Sequence, residues 1–303
     1  SHQGVNLPGA TTALPSAGAD DLDWVDFAVD QGIDLLAVSF VRSAEDIDFG
    51  VAPFYFYGLS RPTDLRHHAR ARRFAGFYMN EDPEAPNYDA KHRIVRSLFN
   101  GSRGPKLDPP PADDWDGPAG PDIAPDSSRR TRFRASSNIR GDHPLNMNVA
   151  RLVFHTYLLT GEDKYRDWVL EYVNAWRERT EANGGNIPSN IGLDGRTGSE
   201  WGGKWYGGVF GWNSPDEGVR NYVFRGPPEA FGAALLLTGD QSYAQVMRRQ
   251  IDNLFAAKRT ENGAVLLPRY FGDQGWYGHH PISGGPSGAL GKAPLEMPNH
   301  EAA

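Results

Sequence analysis

An internal repeat is the feature that most limits how this chain can fold. The segment LLTGEDKY at residues 158–165 returns 78 positions later as LLTGDQSY, at residues 236–243. An Asn-Gly pair follows each copy, at residues 183–184 and 262–263. Such self-similarity predicts stacked units that share one core. We expect each unit to contain an apolar helix, a tight turn, a second helix, an Asn-Gly turn and a long loop.

The repeated turn has the chemistry of a helix end. Gly161 and Gly239 can adopt the left-handed conformation that ends a helix, and the acidic residue after each suits the start of the next helix. In the second helix of the first unit, bulky apolar residues recur at spacings of three and four. They are Tyr165, Trp168, Tyr172 and Trp176, with Val169 and Val173 beside them. We interpret this stripe as packing between helices.

An earlier part of the chain is interpreted as a degenerate third unit. Residues 64–78 are predicted to be a helix, residues 80–88 a proline-containing turn, and residues 90–99 the next helix. Residues 102–139 are rich in Pro, Asp, Ser and Arg and lack periodicity. We expect a long surface loop there.

Charge divides the chain near residue 48. Residues 1–47 contain eight acidic side chains and one basic one, whereas the other 256 residues contain 30 of each. We predict a segment at 1–47, a helical-hairpin domain at 48–285 and a disordered tail at 286–303. Because the large part is electrically neutral and no apolar run reaches the roughly 20 residues of a membrane span, neither nucleic acid nor membrane is an expected partner. The absence of cysteine excludes disulfides and thiolate chemistry.

The first segment has a βα pattern. Residues 19–31 are predicted to form a helix, and residues 35–41 a buried strand. The runs GVNLPG, QGID and SFVRSAED occur in that order, and together they resemble pyruvate kinase where its chain re-enters the (β/α)8 barrel. The resemblance places Ser39 and Arg42 at the active-site end of that barrel. The family's later lysine–glutamate pair, Gly-Asp metal loop and Thr-Gln-Met segment are not found after Asp46. We therefore expect a barrel remnant without pyruvate kinase activity.

The larger part resembles a different architecture. Paired helices with long loops at one end, joined by a Thr-Gly-acid-x-x-Tyr hinge, are similar to the (α/α) toroid of six-hairpin glycosidases, polysaccharide lyases and sugar epimerases. Two or three hairpins are too few to close such a ring. The expected fold is mainly α: an incomplete (α/α) toroid of helical hairpins with a short N-terminal βα segment.

Aromatic, amide and charged residues gather in the loops after the second helices. A sugar ring needs an aromatic face against its C–H groups and polar side chains for its hydroxyls, so these loops predict a carbohydrate site. The candidate substrate-binding residues are Asn146, Asn186, Asn190, Lys204, Trp205, Trp212, Gln274, Trp276 and Tyr277. No cofactor is expected, and the predicted partner is a small or polymeric carbohydrate.

The residues leave three functions open. A hydrolase needs two carboxylates that flank the scissile bond, and Asp142, Asp194, Glu200 and Asp273 are candidates, with repeat symmetry favouring Asp194 and Asp273 in one concavity. A lyase could use His143, Asn190 and Tyr206 as neutralising groups and base. A non-catalytic sugar-binding or scaffold module is the third possibility. No metal site is predicted, because the neighbouring His279 and His280 are poorly placed to bind one ion. The candidate catalytic residues are Asp142, His143, Asp194, Tyr206 and Asp273.

Overall fold

The computed structural model describes residues 62–97, 101–102, 104–107, 140–208, 211–213 and 223–281. The chain divides into two units, Ser1–Tyr57 and Gly58–Ala303, and every described residue belongs to the second. The predicted βα segment at 1–47 and the tail at 286–303 lie outside the described residues. Most of the predicted loop at 102–139 also lies outside them.

Five α-helices form the body of the described unit. They are α1 (Leu65–Gly76), α2 (Asn148–Thr160), α3 (Asp163–Ala182), α4 (Gly226–Thr238) and α5 (Ser242–Ala256). Short 3-10 helices lie at Pro144–Met147 and Ser199–Trp201. Helix α2 packs against α1, α3 and α4, and α4 also packs against α3 and α5. None of these described helices is long and apolar enough to span a membrane.

The repeated hinge has the same geometry in both hairpins. Gly161 and Gly239 lie at the C-caps of α2 and α4 with φ of 68° and 72°, respectively. The hydroxyl of Thr160 donates to a carbonyl one turn earlier and accepts from the N–H of Glu162. Thr238 makes the equivalent pair of bonds. The Thr-Gly-acid sequence therefore ends one helix and starts the next through these local bonds.

The aromatic stripe of α3 lies in the core, as its spacing predicts. Its six residues, Tyr165, Trp168, Val169, Tyr172, Val173 and Trp176, are all buried. The rings of Trp168 and Tyr172 stack with centroids 5.1 Å apart, and Tyr88 lies 5.1 Å from Trp168. Helix α3 thus contributes its aromatic side to the core and packs against α2 and α4.

The helix predicted over residues 90–99 is wrong for its described part, residues 90–97, which holds the turn and second strand of a hairpin. Strand β1 (Tyr88–Asp89) pairs antiparallel with β2 (Ile94–Val95). The Asp89 carboxylate accepts from the N–H groups of Lys91 and His92, and Arg93 adopts a positive φ of 52°. These local bonds favour a turn over a helix.

The two repeats diverge after their second helices. The first Asn-Gly pair follows the end of α3, where Asn183 is the C-cap. At the second pair, Asn262 and Gly263 have φ of 49° and 77°, the pattern of a two-residue hairpin turn. A sheet in the order β3 (Arg259–Glu261), β4 (Ala264–Gly272), β5 (Gly275–Pro281) follows, with both pairings antiparallel. The loop predicted for the second unit is therefore a sheet. The incomplete (α/α) toroid stays a prediction.

Candidate functional site

A buried carboxylate, Asp142, joins four separate parts of the fold. Its backbone N–H and C=O bond to Ile191, at 2.7 and 2.8 Å. Its side chain accepts five hydrogen bonds of 2.9 to 3.2 Å. The donors are the backbone N–H groups of Val95 and His143, Nδ2 of Asn146, the hydroxyl of Tyr172 and Nε1 of Trp176. We call this group the Asp142 junction.

The burial of the Asp142 junction favours structural roles for Asp142 and Asn146, while the catalytic role of Asp142 and the substrate-binding role of Asn146 stay predictions. Asp142 has no solvent exposure, and Asn146 is 5% exposed. Burial raises the pKa of Asp142 to about 6, although the hydrogen bonds and the nearby Arg179 act in the opposite direction. A carboxylate whose lone pairs are occupied by internal donors connects segments of the fold. We assign both residues a structural role.

His143 is enclosed in the same region and is held as a neutral ring. Its Nδ1 lies 2.9 Å from the carbonyl oxygen of Ser189, so Nδ1 carries the proton that makes this bond. Burial lowers the pKa of His143 to about 4. With 1% exposure, the side chain orients the 186–190 loop, in disagreement with the catalytic role predicted for it.

The predicted binding residues Asn186 and Asn190 hold loops together. Asn186 Oδ1 accepts from Asn253 Nδ2 at 3.0 Å, which ties the loop after α3 to α5. Asn190 Nδ2 donates to the carbonyls of Lys204 and Gly207 at 3.2 and 2.9 Å. Ser189, which the sequence did not single out, donates from its hydroxyl to the same Gly207 carbonyl at 2.6 Å. These bonds fix the position of the loop that contains Lys204, Trp205 and Tyr206.

That loop meets the tip of the β4–β5 hairpin. Lys204 Nζ lies 3.1 Å from Asp273 Oδ1 and 3.3 Å from Oδ2. The Tyr206 hydroxyl donates to Asp273 Oδ1. The side chains of Lys204 and Asp273 are 25% and 40% exposed. We call these three predicted site residues the Asp273 cluster. Lys204 and Asp273 are partly open to solvent, whereas Tyr206 is buried.

Aromatic rings surround the Asp273 cluster. Trp205 contacts Tyr206 and Phe271, with centroids 5.6 and 4.6 Å apart. Trp276 contacts Phe271 at 5.0 Å and Trp212 at 5.3 Å. Trp212 is 1% exposed, so it supports the group from inside, whereas Trp205 and Trp276 are half-buried. The sequence did not single out Phe271, although its place next to the Gly272-Asp273 tip is a usable signal.

Two other predicted residues of the hairpin lie away from these rings. Tyr277 stacks on Tyr270 with centroids 5.3 Å apart. Because neighbouring residues of a strand point to opposite faces, Tyr277 and Trp276 face different sides of the sheet. Burial raises the pKa of Tyr277 to about 12. Gln274 is exposed at the tip of the hairpin.

Asp194 stabilises a separate turn. It accepts from the Ser199 hydroxyl at 2.6 Å and from the backbone N–H and Nε of Arg196 at 3.0 and 2.7 Å. Partial burial opposes ionisation of Asp194, but these bonds outweigh it and lower its pKa to about 2. The neighbouring Glu200 pairs with Arg140 at 2.6 Å. The contacts of Asp194 do not include the Asp273 cluster, so the shared concavity predicted from repeat symmetry stays a prediction.

Metal ligation finds no support among the residues that the structure describes, which contain no group of three His, Asp or Glu side chains suited to an ion. His279 Nε2 lies 2.8 Å from the carbonyl oxygen of Ala257 and so bonds to the backbone.

Comparisons with known proteins separate the same two parts of the chain. A model of the pyruvate kinase barrel domain matches residues 1–49. Pyruvate kinases of Leishmania mexicana, Mycobacterium intracellulare and Homo sapiens are 47%, 40% and 45% identical over 46, 47 and 47 residues. These alignments cover 15%, 16% and 16% of this chain and 9%, 10% and 8% of the relatives. The chain thus spans about a tenth of their length.

No solved structure is significantly similar to the chain, and none of these comparisons supports the (α/α) toroid resemblance. A second family model, described as a domain of unknown function, DUF8034, matches residues 47–117 and 111–282. That match covers most of the chain, including all described elements. The pyruvate kinase likeness is therefore confined to the first 49 residues, and the chain belongs to the DUF8034 family.

Proposed function

We propose that this protein binds and acts on carbohydrate at the Asp273 cluster, as a hydrolase or lyase of polysaccharides or oligosaccharides. The observation that carries the proposal is the meeting of two partly exposed residues, Lys204 and Asp273, with the buried Tyr206. The half-buried ring of Trp205 contacts Tyr206. This combination supplies rings for the C–H face of a sugar and charged groups for its hydroxyls.

The electrostatics of the cluster favour hydrolysis over lyase chemistry. Burial, together with the hydrogen bond to Asp273, raises the pKa of Tyr206 far above its ordinary value. A phenolate base is therefore scarce near neutral pH. The other proposed lyase base, His143, is enclosed in the interior. Asp273, which accepts from an ammonium and a phenol hydroxyl, is better suited to act as a negatively charged base or nucleophile.

A hydrolase needs a second carboxylate across the scissile bond. Glu200 and Asp194 are the remaining candidates among the predicted carboxylates, since Asp142 is fully buried. Both already have internal partners, Arg140 for Glu200 and Ser199 for Asp194. This observation favours the alternative of sugar binding without cleavage, which the following experiment distinguishes.

The test uses the full chain and a panel of neutral and uronic acid-containing polysaccharides. Binding is measured by tryptophan fluorescence and calorimetry, and cleavage by new reducing ends and by the ultraviolet absorbance of an unsaturated uronate. We expect Asp273→Asn and Tyr206→Phe to weaken binding at least about tenfold, the loss typical of a removed charged contact. Asp167→Asn, on the exposed surface of α3 and outside the proposed site, is the matched control.

The products of the assay distinguish a hydrolase, a lyase and a sugar-binding module. Reducing ends without unsaturated product indicate a hydrolase, unsaturated product a lyase, and binding without either product a sugar-binding module. If no carbohydrate of the panel binds, or if Asp273→Asn binds as tightly as the unaltered chain, the proposal is wrong.

The pyruvate kinase-like segment suggests a second activity, and we propose that it has none. Phosphoryl transfer depends on positioned cations and metal ions, and the lysine–glutamate pair and metal loop of that family are not found after Asp46. A coupled assay with phosphoenolpyruvate, ADP and Mg²⁺ is expected to show no turnover. Pyruvate formation proportional to the amount of this chain would contradict this.

A further inference from the structure

Helix α1 has an exposed face made of arginines. Arg66, Arg70 and Arg73 are spaced by four and three residues, which places them on one side of the helix, and all three are exposed. The opposite side, with His67, Ala71 and Ala75, is buried and packs on α2. The Thr156 hydroxyl of α2 donates to the Ala71 carbonyl at 3.3 Å. We call the three exposed residues the arginine face.

The arginine face has no balancing charge of its own. The sequence of α1, LRHHARARRFAG, contains no acidic residue. Among the described residues, Arg72 forms an ion pair with Glu162 at 2.6 Å, but no carboxylate there pairs with Arg66, Arg70 or Arg73. The guanidinium of Arg73 lies 6.0 Å from the centre of the Phe77 ring. Three guanidinium groups thus face solvent together.

This arrangement works against the stability of the helix. Like charges four residues apart repel each other along a helix surface. Arg66 also lies in the first turn, where the positive end of the helix dipole disfavours a cation. Asp64 caps this end by accepting from the N–H groups of Arg66 and His67. A local rule broken without structural gain points to a function.

We propose that the arginine face binds the carboxylates of an acidic polysaccharide, so that the glycan of this protein contains uronic acid. The proposal rests on the carbohydrate function proposed above and names its substrate class. Arginine presents a planar fork of N–H groups that matches a carboxylate with two parallel bonds. Residues spaced along one helix face suit a linear chain that repeats its charge.

Two other polyanions fit less well. A helix that lies in a membrane surface buries an apolar face in lipid, whereas the buried side of α1 packs on α2. The two exposed apolar side chains of α1, Leu65 and Phe74, are nine residues apart and so lie on different sides of the helix. Nucleic acid-binding domains commonly combine a basic patch with a high isoelectric point, whereas residues 48–303 of this chain contain 30 acidic and 30 basic side chains.

The test compares polygalacturonic acid with its methyl ester, the same polymer without charge. We expect the full chain to bind the acid at least about tenfold more tightly than the ester at low salt, with the difference shrinking as salt screens the charges. The variant Arg66→Gln/Arg70→Gln/Arg73→Gln is expected to lose about tenfold in affinity for the acid and to keep its affinity for the ester.

A control variant removes the same charge elsewhere. Arg166→Gln/Arg248→Gln/Arg259→Gln changes accessible arginines outside α1, and we expect its affinity to stay within about twofold. Circular dichroism checks that both triple variants fold, and Arg66→Lys/Arg70→Lys/Arg73→Lys, which keeps the charge, is expected to retain most of the binding. Equal losses in both glutamine variants would indicate a general charge effect and overturn the proposal.

Three further results would also show that the proposal for the arginine face is wrong, or would separate it from the carbohydrate function. Unchanged binding of the acid by the α1 glutamine variant, or equal affinity of the full chain for acid and ester, would overturn the proposal. So would tighter binding of phosphatidylserine vesicles or duplex DNA than of polygalacturonic acid through the same arginines. Asp273→Asn, measured on the neutral ester, reports separately on the Asp273 cluster, so a failure of the carbohydrate function is distinguishable from a failure of the arginine face.

Discussion

Asp142 and Asp273 are both carboxylates that accept a bond from a tyrosine hydroxyl, yet their surroundings differ. Asp142 has no exposure and five internal donors. The side chain of Asp273 is 40% exposed and contacts the Lys204 ammonium and the Tyr206 hydroxyl. The comparison shows that a carboxylate among aromatic rings is not by itself evidence of a catalytic site. The number of internal donors and the access of solvent decide which role each one has.

The largest expected effect is on the stability of the Asp142 junction. Asp142→Ala removes the acceptor of five buried hydrogen bonds, and we expect it to lower the free energy of unfolding by about 4 kcal/mol or more. Chemical denaturation followed by circular dichroism measures the change. Asp194→Ala, in a partly exposed turn, is the control, with a loss below about 1 kcal/mol. Equal losses of unfolding free energy in the two variants would show that the buried Asp142 contributes no more to stability than a partly exposed carboxylate.

The pH dependence of stability sharpens the comparison. Asp142 has a folded pKa of about 6 against an ordinary 3.8, so the folded state binds its proton more tightly than the unfolded state. This group therefore adds stability as pH falls from 7 to 4, by up to about 3 kcal/mol. The variant Asp142→Asn has no ionisable group at this position, so it lacks this contribution to the pH dependence of stability.

The difference in unfolding free energy between the unaltered chain and Asp142→Asn should therefore grow as pH falls over that range. His143 acts oppositely in both proteins, because its lowered pKa of about 4 makes acid favour the unfolded state. A difference that is constant from pH 7 to pH 4 would show that Asp142 titrates normally.

Two tyrosines provide a matched pair across the two regions. Tyr172→Phe removes a buried donor to Asp142, and we expect a loss of about 1 kcal/mol in the free energy of unfolding. Tyr206→Phe removes the donor to Asp273 and should affect carbohydrate binding more than stability. Denaturation and calorimetry on both variants test this. A larger stability loss for Tyr206→Phe would reverse the assignment of roles.

The smallest expected effect is that of Asp273→Ala on stability. Its partner Lys204 is 25% exposed and Asp273 itself 40%, so the ion pair is screened by water. We expect a change below about 1 kcal/mol in thermal or chemical denaturation. A loss as large as that of Asp142→Ala would mean that Asp273 is a structural residue too.

Local signals made much of the helical part predictable from sequence. The Thr-Gly-acid hinge uses bonds within a few residues, and the aromatic stripe of α3 follows helical spacing. The Asn-Gly pairs were misleading because the same dipeptide ends α3 at residues 183–184 and forms a hairpin turn at residues 262–263. The hairpin of β1 and β2 was missed because a single side chain, Asp89, decides the turn.

The candidate site was predictable only in part, because its residues are brought together by contacts between distant parts of the sequence. Lys204 and Tyr206 meet Asp273 across more than 60 residues, and their loop composition indicated polar chemistry without indicating which pairs form. The five donors to Asp142 are spread along the sequence, the first at Val95 and the last at Trp176. A sequence reveals an isolated acidic residue at position 142, but only the assembled fold shows that it is enclosed.

The shared acceptor at Asp142 also bears on how the molecule opens. Strand β2, the 3-10 helix after His143, helix α3 and the segment of Ile191 all converge on one residue. Detachment of any one of them weakens the anchorage of the rest, so these segments should exchange their amide hydrogens as a single cooperative unit. The β4–β5 hairpin makes none of these bonds, so we expect its amide hydrogens to exchange in a separate unit.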